Sequence, residues 1–204
     1  MKSICVIGSG ISGSTVANLL SKKYKVDVYE KAKGIGGRSS HRRYLNKLGF
    51  DHGLQYISPK TSKFKKFCSG LQKKRVLKKW QGPHKFDHSK VLENKKHTKL
   101  IGAKGNNAIS KYLLKNINCI FGYELFKIER IRKNWKLSFL NGDVKYYEIL
   151  IISIPFAQSK KLLKKFLPNF FKNKKVKMEA NITVMTVTNK IKNNFSSFLF
   201  NDEV

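Results

Sequence analysis

Acidic side chains are scarce in this chain: 12 Asp and Glu stand against 43 Lys and Arg, a formal net charge of +31. So large an imbalance suggests a polyanionic partner or an acidic membrane surface. Arginine is scarce as well. It occurs at positions 38, 42, 43, 75, 130 and 132, and lysine supplies the other 37 cations. Phosphate-reading surfaces lean on the bidentate fork of arginine. Lys, Asn, Ile and Phe share AT-rich codons, so compositional drift is the favoured reading and a nucleic-acid partner is disfavoured. Cysteine is limited to Cys5, Cys68 and Cys119, an odd number without a C-x-x-C pair. That points to free thiols in a reducing cytoplasm. No apolar run approaches the roughly 18 residues of a membrane span. The N-terminus has no A-x-A cleavage site, so neither a membrane segment nor a signal peptide is expected.

What is present can fold. The chain is 41% hydrophobic and 12% aromatic, enough to bury a core and unlike a disordered segment. "SICVIGSG" (3–10) is a short apolar run ending in glycines, as a buried parallel strand should. "ISGSTVANLLSKK" then places Ile11, Val16, Leu19 and Leu20 on one helical face, and "VDVYE" (26–30) forms a second strand. Strand, tight turn, helix and strand within 30 residues make a βαβ unit. Residues 60–97 are lysine-rich and read as a peripheral, weakly patterned insert. "NNAISKYLLKNI" (106–117) is predicted helical with an Asn cap. Strand texture follows, with Asn141-Gly142 as the strongest hairpin signal. "EILIISIP" returns as a buried strand, "SKKLLKKFL" as a helix, and "NITVMTVTNK" and "FSSFLF" as strands.

Gly8, Gly10 and Gly13 form a G-x-G-x-x-G between the first strand and the helix. The first permits a tight turn, the second lets a pyrophosphate approach the backbone, and the third allows close helix–strand packing. The amides and dipole at the helix start favour that anion. Glu30 ends the second strand, where a carboxylate accepts from a ribose 2′-OH and repels a 2′-phosphate. The bland alternative is a glycine-rich turn beside a solvated acid. A second glycine turn, Gly36-Gly37, is followed by Arg38, which can neutralise a pyrophosphate charge. A nicotinamide dehydrogenase has no need of this second clamp, which favours FAD. Arg38 as a plain surface cation is the competing reading.

These motifs together resemble the flavin-containing amine oxidase superfamily, and within it the renalase-like oxidoreductases. The resemblance rests on VIGSGISG (6–13), VYEKAKGIGGRSSHRR (28–43) and FDHGLQYIS (50–58), with weaker support from 120–137 and 149–158. It implies an α/β fold: a Rossmann-like FAD-binding domain from residues 1–59 and 98–157, with an incomplete α+β substrate domain from 60–97 and 158–204. It also implies that Ser12 contacts the cofactor near the first turn, beside Glu30 and Lys31 at the ribose and Gly37 and Arg38 at the pyrophosphate. In the 50–58 stretch, Gly53 would allow backbone approach to the flavin, and Gln55 and Tyr56 would face it. Asp51 would fix the loop, with His52 a loop histidine. The backbone of Leu125 would meet the adenine. His41 stands where relatives have a small hydroxyl residue.

The implied activity is FAD-dependent oxidation of a small reduced substrate, including NAD(P)H isomers, with hydride passing to the flavin and electrons to molecular oxygen. The alternatives are another amine oxidase or desaturase-type member, and an inactive, truncated, basic Rossmann-type binding protein. Family members are longer and carry a late glycine–acid motif, so the chain is expected to stop within the substrate domain. Catalytic residues are not identifiable. His84, His88 and His97, near Asp87 and Glu93, lack a metal-site spacing, so no metal is expected.

Overall fold

The computed structural model describes residues 2–44, 48–81, 98–174 and 176–187, and the backbone of 84–86 and 197–199. In chain order the first elements are β1 (Ser3–Ile7), α1 (Ile11–Leu20) and β2 (Lys25–Glu30). A short 3-10 turn (Gly37–Ser39) leads to the hairpin β3 (His41–Tyr44) and β4 (Leu48–Asp51). Then come α2 (Ser62–Lys73), β5 (Leu77–Lys79), β6 (His84–Phe86), β7 (Leu100–Gly102), α3 (Ala108–Leu113) and β8 (Asn118–Phe121). The meander β9 (Leu125–Ile131), β10 (Asn134–Phe139) and β11 (Val144–Tyr147) precedes β12 (Ile149–Ile152), α4 (Phe156–Leu163), α5 (Pro168–Asn173) and β13 (Ser197–Leu199).

The central sheet is parallel throughout, in the order β12-β1-β2-β8. Its middle strand is covered on both faces, which is why "SICVI" reads as a continuous apolar run. Ile4 and Val6 pack with Ala17, Val26, Val28 and Leu114 on the helical side. Cys5 and Ile7 point the other way, into a core with Tyr29, Leu137, Phe139 and Tyr147 from beneath the antiparallel meander. The order of strands reverses between β1 and β12: one neighbour of β1 continues the chain through α1, and the other arrives only after the meander. Such a reversal opens a crevice at the carboxyl ends of the strands.

Helix α1 lies close to the sheet because its inner face is small, not because it is greasy. Gly13, Ser14 and Ala17 are its buried residues, whereas Leu19 is 59% exposed and Ile11 also faces solvent. Of the apolar stripe expected from Ile11, Val16, Leu19 and Leu20, Leu20 packs against the core whereas Ile11 and Leu19 do not. The close approach depends on Gly13: a Cβ there would lie 2.0 Å from the Gly8 carbonyl oxygen.

The expected insert begins as an ordered helix. Thr61 caps α2, its hydroxyl accepting from the Phe64 N–H at 3.3 Å. Cys68 and Leu71 are buried with Ile57, Leu77, Leu100, Ile109 and Leu113 in a core of their own. The stretch 87–97, with Asp87, His88, Glu93 and His97, lies outside the described residues. The predicted helix over 106–117 is confined to Ala108–Leu113, with Asn107 at the cap position making no capping bond. The Asn141-Gly142 hairpin forms, with a φ of 88° at Gly142 and its N–H donating to the Phe139 carbonyl at 3.0 Å. Residues 181–187 alternate as a strand would but join no ladder among the described residues, and a strand exists only through its partner.

Candidate functional site

A cleft of about 750 Å³ opens at the strand reversal, within the size range of cofactor sites. Its floor is the first glycine loop. Gly8 turns the chain out of β1 with a φ of 101°, its N–H held at 2.8 Å by the Tyr29 carbonyl. Gly10 then stands at the start of α1, whose first-turn N–H groups have no intrahelical partner. A Cβ on Gly10 would meet nothing closer than 3.9 Å, whereas one on Gly13 would also lie 2.4 Å from the Ser153 hydroxyl. The second glycine therefore faces open cleft and the third faces protein. Ser12, exposed on the first turn of α1, also lines the cleft.

The second glycine turn stacks on the first. Gly36 bridges to Gly10, donates its N–H to the Ser9 carbonyl at 3.2 Å, and holds a φ of 133°. Gly37 follows with a φ of 55°, and a Cβ there would be 3.2 Å from the Gly10 Cα. A side chain at Gly37 would press on the first loop, and one at Gly36 would press on Ser40 and Asn107. Arg38 comes next, exposed at the cleft wall, its guanidinium without a hydrogen-bond or ion-pair partner among the described residues.

Glu30 lies on the cleft wall at the end of β2 yet is only 8% exposed. Its Oε2 accepts from the Ser9 N–H at 2.9 Å and the Ser9 hydroxyl at 2.8 Å, and its Oε1 accepts from the Ala32 N–H at 2.9 Å. A carboxylate offers about four acceptor sites, so capacity remains for one further donor such as a sugar hydroxyl. Lys31 sits beside it, its Nζ 4.0 Å from Glu124. Leu125, at the start of β9, closes the same end of the cleft with Tyr123.

The 50–58 stretch lies elsewhere. Gly53 faces the backbone of Arg38, where a Cβ would come within 2.2 Å of the carbonyl oxygen. Gln55 is exposed, and Tyr56 packs against Trp80 with Lys99 above its ring. None of the three lines the cleft. Asp51 accepts from the Asn106 N–H at 2.7 Å and is paired with His41 at 2.9 Å. His52 bonds the Ser40 hydroxyl.

Several lining residues escaped the sequence reading. Ser153, Ile154, Pro155, Gln158 and Lys161 come from the turn after β12 and from α4, the far side of the strand reversal. The signal for them was "ILIISIP" followed by a helix, but its adjacency to β1 is a fact of topology. Ser153 holds that junction, its hydroxyl donating to the carbonyls of Ile7 at 2.9 Å and Gly8 at 3.1 Å.

Beneath the Glu30 end runs a buried polar chain. The Tyr147 hydroxyl donates to Asp27 at 2.8 Å and lies 2.8 Å from the Tyr29 hydroxyl, while Asn118 donates to the other Asp27 oxygen. Burial first, then these hydrogen bonds, raise the Tyr147 phenol far above its ordinary pKa. Burial also lifts the Cys119 thiol, with Glu30 adding to it, to about 11. These groups stay protonated at neutral pH and serve as structure. Among the described residues no cluster of three metal-ligating side chains occurs.

Residues 6–71 match the NAD(P)-binding Rossmann-like domain family. This span contains both glycine turns, Glu30 and Arg38. The chain carries a Rossmann-like dinucleotide-binding domain. The fold is also similar to the crystal structure of tetracycline destructase Tet(51), with a TM-score of 0.54 and 16% sequence identity. That similarity covers 80% of this chain and 41% of the other, so the chain spans less than half the length of the protein it matches. At this identity the likeness is one of fold. No helix among the described residues is long and apolar enough to cross a membrane.

Proposed function

We propose that the cleft binds FAD and that the chain is part of a cytoplasmic, renalase-like flavin oxidoreductase. The observation that carries the flavin reading is the facing of two glycine turns, Gly10 against Gly36-Gly37, with Arg38 beside them. A nicotinamide site needs only the first turn. The residues present suit the group: open space over Gly10, unpartnered amides at the start of α1, the fork of Arg38 for a pyrophosphate, and a remaining acceptor on Glu30 for a ribose hydroxyl. Bound there, FAD supplies hydride-accepting and oxygen-reducing chemistry. The chain's own contribution is to hold the adenosine at Glu30 and Leu125, neutralise the pyrophosphate with Arg38, and exclude water along the β1–β12 crevice.

The substrate reading is finer. Dihydronicotinamide dinucleotide isomers are anionic, and a surface of +31 favours their capture. The test has two stages. Titration with FAD and with NAD+ should show tight binding of FAD alone, and binding of NAD+ without FAD overturns the flavin reading. Anaerobic bleaching of the flavin by 2- or 6-dihydronicotinamide dinucleotides should be rapid, with peroxide formed on admitting oxygen. Bleaching by primary amines, with none by the dinucleotides, would instead make the protein an amine oxidase.

A further inference from the structure

The segment Gly105-Asn106-Asn107 touches neither glycine turn in sequence and does not line the cleft, yet it holds both segments next to Arg38. Asn106 is 1% exposed and its side chain is fully used. Its Oδ1 accepts from the Gly102 N–H at 2.9 Å, and its Nδ2 donates to the carbonyls of Leu54 at 2.6 Å and Gln55 at 3.1 Å. Its backbone N–H donates to Asp51. The 51–55 loop is thus gripped at Asp51, Leu54 and Gln55, and the loop grips Arg38 in turn: the Leu54 N–H donates to the Arg38 carbonyl at 2.9 Å, and Gly53 lies flush against that carbonyl.

The next residue reaches the other side of the same turn. The Asn107 Nδ2 donates to the Ile35 carbonyl at 3.2 Å, immediately before Gly36. A Cβ on Gly36 would sit 2.8 Å from the Asn107 Cβ, so the asparagine is packed directly against the glycine. Its Oδ1 is buried without a partner, and a buried unpaired amide oxygen is unfavourable, so burial alone does not account for asparagine here. Gly105 completes the set. With a φ of 102°, it lies where a Cβ would fall 2.5 Å from the His41 ring, the ring paired with Asp51.

The geometry points to Asn106 and Asn107 as positioning residues for the cofactor's pyrophosphate end, acting through the 51–55 loop and Ile35 to set the Gly36–Arg38 turn against Gly10. This rests on the dinucleotide reading of the cleft. It gives the 50–58 stretch a role at one remove from the cofactor, as the strap that fixes the main chain of Arg38. It also separates the two ends of the site. The Glu30 end is held by Ser9 and Ala32, which the asparagines do not touch.

The test uses the 204-residue chain with Asn106→Asp and Asn107→Asp, near-isosteric changes that remove the donors, and Asn107→Ala. FAD binding should weaken at least tenfold while binding of adenosine, which carries no phosphate and engages only the ribose end, changes less than twofold. In the unliganded protein, hydrogen exchange at the Leu54 amide should accelerate in Asn106→Asp, and at Gly36 in the Asn107 variants, with Ile4–Ile7 unchanged. Parallel loss of FAD and adenosine binding, or a cooperatively folded variant with unaltered exchange at these amides, overturns the proposal. Should Asn106→Asp not fold, Asn107→Ala decides, since its side chain makes one hydrogen bond. A wild-type chain that takes up no FAD would remove the flavin reading, and the exchange measurements would then judge the clamp alone.

Discussion

Glu30 reaches across the head of β1 to accept both the N–H and the hydroxyl of Ser9 on one carboxylate oxygen, at 2.9 and 2.8 Å. Two residues that are 21 apart in the chain thereby lock the first glycine turn to the end of β2. The acid expected to read a sugar is therefore also a brace of the loop expected to receive the phosphates.

Glu30→Gln tests this double role. An amide can present only one acceptor atom, so either Ser9 or Ala32 loses its partner in a buried place. Unfolding in urea should show a loss of about 1.5–3 kcal/mol, and AMP binding should weaken in the same variant. Lost binding at unchanged stability would confine Glu30 to the ligand.

The two glycines of the first turn should separate fold from binding. Gly13→Ala drives a methyl to within 2.0 Å of the Gly8 carbonyl and 2.4 Å of the Ser153 hydroxyl, and should destabilise by about 1–3 kcal/mol. Gly10→Ala has 3.9 Å of clearance and an ordinary φ of −66°. Its melting temperature should match wild type while its affinity for FAD collapses. Equal melting temperatures for the two variants would show that the helix can move off the strand.

The Arg38 guanidinium is exposed and unpartnered among the described residues, so Arg38→Lys should alter stability by less than about 0.5 kcal/mol. Flavin affinity should still fall, because a point charge does not reproduce the guanidinium fork. Near-native affinity in the lysine variant would make Arg38 a surface charge only.

Tyr147 makes stability depend on alkali. Its phenol is raised in the folded state by burial and by its bonds to Tyr29 and Asp27, so the unfolded chain loses this proton first. Its contribution is whole below the free value of about 10 and declines as pH rises above it. Tyr147→Phe removes the hydroxyl that bridges Tyr29 and Asp27, and should cost about 1–3 kcal/mol at neutral pH. It should also flatten the loss of stability between pH 10 and 11. An unchanged alkaline slope, followed by urea midpoints across pH, would assign that slope to other buried groups such as Cys119.

Local chemistry made much of the dinucleotide domain legible in the sequence alone. A turn that needs φ near 100° at Gly8, an apolar run buried on both faces and an acid ending the next strand are short-range requirements, met within 30 residues, and they specify the βαβ unit and the glycine turn at its helix start. The Gly36–Arg38 turn is legible for the same reason. What only the tertiary structure decided is what meets across the chain. The close approach of α1 follows from Gly13 against Gly8 more than from the stripe of larger residues, of which Ile11 and Leu19 stay exposed, because the distance of closest approach is set by the turn it meets. Ser153 and Lys161 reach the cleft because β12 pairs with β1 from 145 residues away in register, and no local propensity encodes that pairing. The 50–58 stretch shows the same limit most sharply. Its contacts are long-range: Asn106 takes the Leu54 and Gln55 carbonyls and Gly53 lies against the Arg38 carbonyl, since buried peptide groups must find partners wherever the fold provides them.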